Sequence, residues 1–273
     1  MNHLDPAQGL LFGSGPGAVT DDLAHRELRL IAANVEGAPT ARTQRLLSWL
    51  YESGANVLVL SEVRFGPGAH RLVSDLEASG YTVRLRDRDP DDAYAYAVVV
   101  ATKGYTNAPV ALSFSTPRMT AVRLETHLGP IDLIGLYSLT NGMTAESSQR
   151  RRAFQEQVLT ALHDHLKANP DVPIAIAGDF NVLEPGHQPP CDLFAQHDYT
   201  FYSELLALGL TDAYRHLNPD GAEATWHGPQ GGQRLDHTLL STNLAPSVRA
   251  CRLEHTIRSQ KISDHSAITT VLQ

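Results

Sequence analysis

Apolar positions along the chain fall into two rhythms. Residues 29–35 (RLIAANV) and 56–63 (NVLVLSEV) are near-continuous apolar runs of strand length, the signature of strands covered on both faces. Residues 43–52 carry Leu46, Leu47, Leu50 and Tyr51 at helical spacing, and residues 70–79 put Leu72, Val73 and Leu76 on one helical face. Strands are predicted at 81–85, 94–102, 121–126 and 131–137. Residues 144–168 form the longest helical stretch, striped by Phe154, Val158, Leu159, Leu162 and Leu166. A short strand at 173–177 (PIAIA) runs straight into Gly178-Asp179, and Gly209 stops a helix at 201–208. Strands at 235–241, 252–257 and 267–272 follow.

Many of these strands succeed one another without a helix between them. That disfavours a simple doubly wound parallel sheet and favours an α/β chain with two packed sheets flanked by helices. No internal repeat and no long Gly/Pro linker divides the chain, so residues 28–273 are expected to form one domain. Residues 1–27, with Gly13-Ser14-Gly15-Pro16-Gly17, read either as a flexible or loosely docked leader or as a start-site artefact.

The composition, 42% hydrophobic and 19% charged over 273 residues, leaves room for a core that houses buried polar groups. A net charge of -8 taken alone weighs against a nucleic-acid partner, since phosphate contact favours Lys and Arg. A carboxylate-rich metal site supplies negative charge of its own, however, and a local basic face can coexist with an acidic whole. Cys191 and Cys251 form neither a CxxC pair nor a disulfide framework, which suits a reducing compartment. No apolar run approaches the roughly 20 residues of a membrane span, and no secretory signal pattern stands at the start. The expectation is a cytoplasmic protein with no membrane partner.

Candidate chemistry gathers where strands end. Asn34 and Glu36 follow the first strand, Glu62 ends the second, Asp179 and Asn181 follow PIAIA, Asp236 opens another, and Asp264 and His265 precede the last. A carboxylate at the mouth of an apolar strand costs desolvation unless something pairs with it. A hard divalent cation with oxygen ligands is one such partner. Singly, each is more readily a turn former or helix cap; taken together they point to one face.

The motifs Asn34-Val35-Glu36-Gly37, Leu60-Ser61-Glu62, Leu136-Tyr137 with Asn141-Gly142, Gly178-Asp179-Phe180-Asn181, Arg234-Leu235-Asp236 and Ser263-Asp264-His265 stand in an order and spacing that resemble a known family. It is the endonuclease/exonuclease/phosphatase superfamily, and within it the exonuclease III-like apurinic/apyrimidinic endonucleases. The resemblance covers about residues 28–273, and the stretch from Tyr202 to Asp220 and Thr225-Trp226 share it. It implies a four-layer α/β-β/α sandwich with the site at one edge between the sheets. It also implies Mg²⁺-dependent hydrolysis of phosphodiesters, with Mn²⁺ as a substitute, DNA as partner and a monomeric protein. The lead activity is abasic-site incision or 3′ exonuclease action in DNA repair.

Residue by residue, Glu62 matches the family's principal metal-binding glutamate, and Asn34, Glu36 and Asp264 match positions at or beside that metal. Asp179 matches the residue that orients or deprotonates the attacking water, and Asn181 the one that holds the phosphate or that aspartate. His265 matches a hydrogen-bond donor to the phosphoryl oxygens, Asp236 its partner, and Tyr137 a phosphate-contacting or leaving-group-stabilising tyrosine. Arg64, Asn141 and Trp226 match substrate-binding positions, although Asn141-Gly142 reads equally as a turn. Of the 13 histidines only His265 receives a role; the others, His163 and His165 included, are expected at the surface. Arg150-Arg151-Arg152 reads either as a phosphate footprint or as a solvated helix face.

Three departures touch the substrate grip. Ser61 stands where the family usually has Gln, His227 follows Trp226 where a second Trp is common, and residues 228–233 (GPQGGQ) are short and lack aromatic and basic residues. A phosphatase or phospholipid phosphodiesterase of the same superfamily is the first alternative. A catalytically inactive binding protein is the second, and the intact set Glu62, Asp179, Asn181, Asp236 and His265 speaks against it.

Overall fold

The computed structural model describes residues 27–88, 95–140 and 144–273; the leader to residue 26, and Asn141, lie outside them. The first half alternates strand and helix: β1 (Leu28–Asn34), α1 (Thr40–Glu52), β2 (Val57–Arg64), α2 (Pro67–Ala78), β3 (Thr82–Arg84) and β4 (Tyr96–Thr102). Then come β5 (Asn107–Pro109), β6 (Met119–Thr126), β7 (Gly129–Tyr137), α3 (Ala145–Ala168), β8 (Ile174–Asp179), α4 (Gln196–Ala207), β9 (Leu210–Asp212) and α5 (Ala213–Leu217). The chain continues with a hairpin of β10 (Trp226–Gly228) and β11 (Gly231–Gln233), β12 (Asp236–Ser241), a 3₁₀ turn (Thr242–Ser247), β13 (Val248–Glu254), α6 (Thr256–Ser259) and β14 (Ala267–Leu272).

Two six-stranded mixed sheets result, ordered β13-β14-β1-β2-β4-β3 and β5-β6-β7-β8-β12-β9. Each contains one parallel pair joined across a helix: β1 with β2 through α1, and β7 with β8 through α3. One core lies between the sheets, where Leu30, Val57, Val59, Val98 and Val100 meet Val122, Leu133, Ala175, Ala177 and Leu240. On the far face of the first sheet, Ile31, Leu58 and Leu60 pack against Leu46, Leu50, Leu72 and Leu76 of α1 and α2. Beyond the second sheet, Ile134, Ile174 and Ile176 pack against Phe154, Val158 and Leu162 of α3 and Phe201 and Leu205 of α4. The layers are therefore α/β/β/α, as expected. The central strands are buried on both sides, which is why their sequences are apolar without alternation.

Several local expectations change. The strand expected at 252–257 ends at Glu254, and α6 follows it. The helix expected from 201 begins at Gln196, where the Asp198 carboxylate accepts the Ala195 N–H at 2.8 Å. Gly209, at φ 85°, takes the left-handed conformation that ends this helix. Arg151 is neither a footprint nor a solvated face: it is buried in an ion pair with Asp198 that ties α3 to α4. Its neighbour Arg152 lies at the surface, paired with Glu156 one turn on. His165 is likewise not a surface residue. It is buried with Nε2 2.8 Å from Asp132, whose carboxylate also takes a two-pronged contact from Arg123.

Candidate active site

Four strand ends and one loop meet at a single edge between the sheets. Asn34 closes β1, Tyr137 closes β7 and Asp179 closes β8, so the parallel pairs point their carboxyl ends the same way. Asp236 opens β12 directly opposite Asp179 in the antiparallel register, and Ser263–His265 lead into β14. Glu62 arrives by a local break. The β2–β4 register shifts between Leu60 and Val63, and Glu62 itself sits at φ 55°. A bulge of this kind re-aims a side chain that a regular strand would send elsewhere. Asn181, at φ 51°, shares that uncommon conformation. Gly178 admits no side chain, because a Cβ there would stand 2.1 Å from the Leu136 carbonyl oxygen on β7.

One amide organises the acidic groups. Asn34 Nδ2 donates both hydrogens, to Glu62 Oε2 at 2.8 Å and to Asp179 Oδ2 at 2.9 Å. Its Oδ1 accepts the Glu36 N–H at 2.8 Å, which fixes the amide orientation. Tyr137 donates its hydroxyl to Glu62 Oε2 at 3.0 Å. Asn181 gives its backbone N–H to Asp179 Oδ1 at 2.9 Å, and its Nδ2 to Asp179 Oδ2 at 3.2 Å and the Ser138 carbonyl at 3.1 Å. His265 Nδ1 lies 2.8 Å from Asp236 Oδ2. A carboxylate only accepts, so this nitrogen carries the proton. Asp179, Asp236 and His265 each offer a donor atom within 4.8 Å of the others, and all three are buried.

The electrostatics follow from that crowding. Burial pushes the Asp179 carboxyl up, and Asp236 opposite adds to it; His265, Asn34 and Asn181 pull back, leaving it at about 7. Burial alone would lower His265, but the charge and hydrogen bond of Asp236, with Asp179 and Asp264 behind, raise it to about 10. Burial, then the charges of Glu62 and Asp179, hold the Tyr137 hydroxyl well above its ordinary value, so it stays a donor. Asp236 Oδ1 is buried with no hydrogen-bond partner. An orphaned buried carboxylate oxygen beside Asp179 is what a bound cation would satisfy. Carboxylate and amide oxygens dominate this edge, and such donors fit a hard divalent ion better than a soft one.

The remaining expected residues sit further out. The Glu36 carboxylate is engaged by Arg42 and takes no part in the Asn34 network. Asp264 is exposed and accepts the indole N–H of Trp226 at 3.1 Å, which joins a residue expected near the metal to one expected on the substrate. Arg64 is exposed in an open pocket that it lines with Glu36, Phe65 and Tyr96. Sequence reasoning missed Arg118, whose guanidinium lies over the rings of Tyr137 (4.8 Å) and Tyr96 (5.7 Å). It also missed the Ser263 hydroxyl, which donates to the Asn34 carbonyl at 2.7 Å and accepts the His265 N–H at 3.1 Å. Arg118 stands in no pattern that separates it from an ordinary loop residue; Ser263 lies inside the Ser263-Asp264-His265 motif, but a hydroxyl there reads as a turn former.

A two-sheet α/β sandwich with carboxylates and a cationic imidazole at one sheet edge defines the class. The family is explicit: the model described as "Endonuclease/Exonuclease/phosphatase family" matches residues 31–265, and the chain belongs to that family. An exodeoxyribonuclease of Bacillus subtilis (strain 168) is 22% identical over 277 residues, covering 90% of this chain and 99% of that protein. Recombination repair protein 1 of Drosophila melanogaster is 34% identical over 159 residues, half of this chain but only 22% of that protein's length. Among solved structures, an AP endonuclease from Archaeoglobus fulgidus superposes with a TM-score of 0.73 at 20% identity, covering 90% of this chain and 99% of that one. A 3′ phosphatase from Neisseria, bound to a product DNA hairpin, does so with a TM-score of 0.73 at 17% identity and the same coverage. These likenesses establish the fold. No helix among the described residues is long and apolar enough to cross a membrane.

Proposed function

We propose that the chain is a Mg²⁺-dependent phosphodiesterase of DNA, acting as an abasic-site endonuclease, a 3′ exonuclease or both, as a monomer in the cytoplasm. The observation that carries this is the gathering of Asp179, Asp236 and His265 within 4.8 Å of one another, all buried, with the Asp179 carboxyl raised to about 7 and the His265 ring to about 10. Near neutral pH the Asp179 carboxyl can take a proton from water while the His265 ring remains a hydrogen-bond donor. Asn181 and Asn34 hold the Asp179 carboxylate in place, and the lone pair left on Oδ1 orients the attacking water. His265, its ring set by Asp236, donates to the phosphoryl oxygens as charge develops on them. Tyr137 keeps its proton and donates to Glu62 or, with substrate present, to a phosphate or leaving oxygen. Glu62, with Asn34 Oδ1, Asp236 and Asp264 as further oxygen donors, would hold the metal; Mn²⁺ would substitute. Bound there, the ion would polarise a phosphoryl oxygen and offset charge on the leaving oxygen. Arg64, Asn141 and Trp226 contact the nucleic acid.

The names of the relatives support DNA as substrate, since they include an exodeoxyribonuclease and a DNA-(apurinic or apyrimidinic site) endonuclease. One observation favours a second reading, another phosphodiester such as a phospholipid headgroup. The β10–β11 hairpin has only three residues a side, and residues 216–233 contain no Lys or Arg. Incubation with Mg²⁺ and abasic, nicked and intact duplex DNA separates the two. Cleavage of the abasic or nicked duplex that stops in EDTA is expected. Turnover of a phospholipid or small phosphodiester with all three DNAs left intact would replace the DNA reading by the second one.

A further inference from the structure

Asp236 and His265 reach the site from different parts of the fold, one opening β12 and one in the loop before β14. Their own side chains do little to hold them in place. Asp236 Oδ2 is committed to His265 Nδ1, and its other oxygen has no hydrogen-bond partner. Within the protein itself the orientation of the pair is therefore set by the backbone on either side, where the Ser263 hydroxyl already accepts the His265 N–H.

Thr225 touches both backbones. It is fully buried just ahead of the β10–β11 hairpin. Its hydroxyl oxygen accepts the N–H of Leu235 at 3.0 Å and the N–H of Asp236 at 3.2 Å. The hydroxyl proton points to the Gln233 carbonyl at 3.4 Å. The Thr225 carbonyl accepts the N–H of Ser266, the residue after His265, at 2.7 Å. One side chain thus closes the turn that delivers Asp236, and the same residue's main chain clamps the loop that delivers His265. Two consecutive N–H groups at a strand start would otherwise be buried without partners, at about 1–3 kcal/mol each.

We propose that Thr225 is the positioning residue of the Asp236–His265 pair: it touches neither substrate nor metal, and sets the distance and direction between carboxylate and ring. The inference rests on the roles proposed above for those two residues. A hydroxyl that merely stabilises the hairpin would leave the pair's geometry, and kcat per folded molecule, unchanged when removed.

The test compares full-length Thr225→Ser, Thr225→Val and Thr225→Ala with the parent. Two readouts are taken: kcat and KM on abasic duplex with Mg²⁺, and the downfield proton resonance of the His265 Nδ1–H bonded to Asp236. The Val and Ala variants are expected to lose between about tenfold and a hundredfold in kcat, the cost of a loosened supporting contact. KM is expected to stay near the parent's, and the resonance to shift or broaden. Ser, which keeps the hydroxyl, is expected to restore both. Should the Val variant not fold, the Ser and Ala pair decides alone. A parent-like resonance and kcat in a folded Val or Ala variant would overturn the assignment, as would a Ser variant that fails like Val, because the methyl group would then be what matters. The resonance needs no substrate, so a parent inert on DNA would end the DNA reading while Thr225 was still judged by its spectrum.

Discussion

Asp179 and Asp236 are register partners on antiparallel β8 and β12, two buried carboxylates side by side at the edge of one sheet. Like charges at that spacing are tolerated only with compensation, which here comes from Asn34, Asn181 and the His265 ring. The pH dependence of stability in EDTA follows. Asp179 is held near 7 in the fold against an ordinary 3.8, so between those values only the unfolded chain is ionised, and stability falls as pH rises. His265, near 10 against an ordinary 6.5, contributes stability that is complete below 6.5 and is lost as pH climbs through about 10. Burial holds His127, His187, His197 and His227 low, which acts the other way up to about pH 7, so the loss is read above that: the metal-free protein should lose at least about 2 °C in Tm between pH 7 and 9. Mg²⁺ should restore it in proportion to the logarithm of its concentration. A Tm flat with pH in EDTA and indifferent to Mg²⁺ would contradict this electrostatic account of the site.

Removing the chemical groups themselves should separate activity from folding. Asp179→Ala and His265→Ala are each expected to reduce turnover by about 10²–10⁴-fold, the usual worth of a positioned acid or base. Far-ultraviolet circular dichroism should be unchanged. Variants as active as the parent would end the proposed division of labour.

The three successive arginines of α3 should behave unequally. Removing one partner of the buried Arg151–Asp198 pair strands the other charge, so Arg151→Ala should cost about 3–5 kcal/mol in denaturant unfolding. Arg150→Ala, at an exposed position, should stay within about 0.5 kcal/mol. Equal effects would show that the ion pair does not hold α3 to α4.

Gly178→Ala tests the close approach of β7 and β8. The φ of 134° disfavours any side chain, and the added carbon would meet the Leu136 carbonyl. Destabilisation of more than about 1 kcal/mol is expected, together with weaker activity, because Asp179 is the next residue. Unaltered unfolding and turnover would mean that the strands separate here at little cost.

These contrasts also mark what was readable beforehand. Glu62, Asp179, Asn181 and Asp264-His265 each lie in a short motif at one end of an apolar run, and the order of the motifs taken together, not any one of them, singles them out. Their convergence needed only the strand order. His165 and Arg151 read as surface residues because what buries them is far away in sequence: Asp132 is 33 positions from one, and Asp198 is on another helix. The β11 arm of the hairpin is not legible because residues 228–233 (GPQGGQ) carry none of the branched or aromatic residues that mark strands. Helix α6 was absorbed into a strand because Ile257 continued an apolar alternation that the backbone had already left.

The Ser263 hydroxyl reaches the Asn34 carbonyl across 229 positions of sequence. Among the described strands β1 comes first in sequence, and it takes β14, which comes last, as a neighbour. During translation, then, Asn34, Glu62 and Asp179 emerge from the ribosome well before the segment that completes their site. A nascent chain cannot form the Asp236–His265 contact until His265 has left the exit tunnel. A product of a premature stop before that residue would lack the contact, and the proposed roles predict it to be inert.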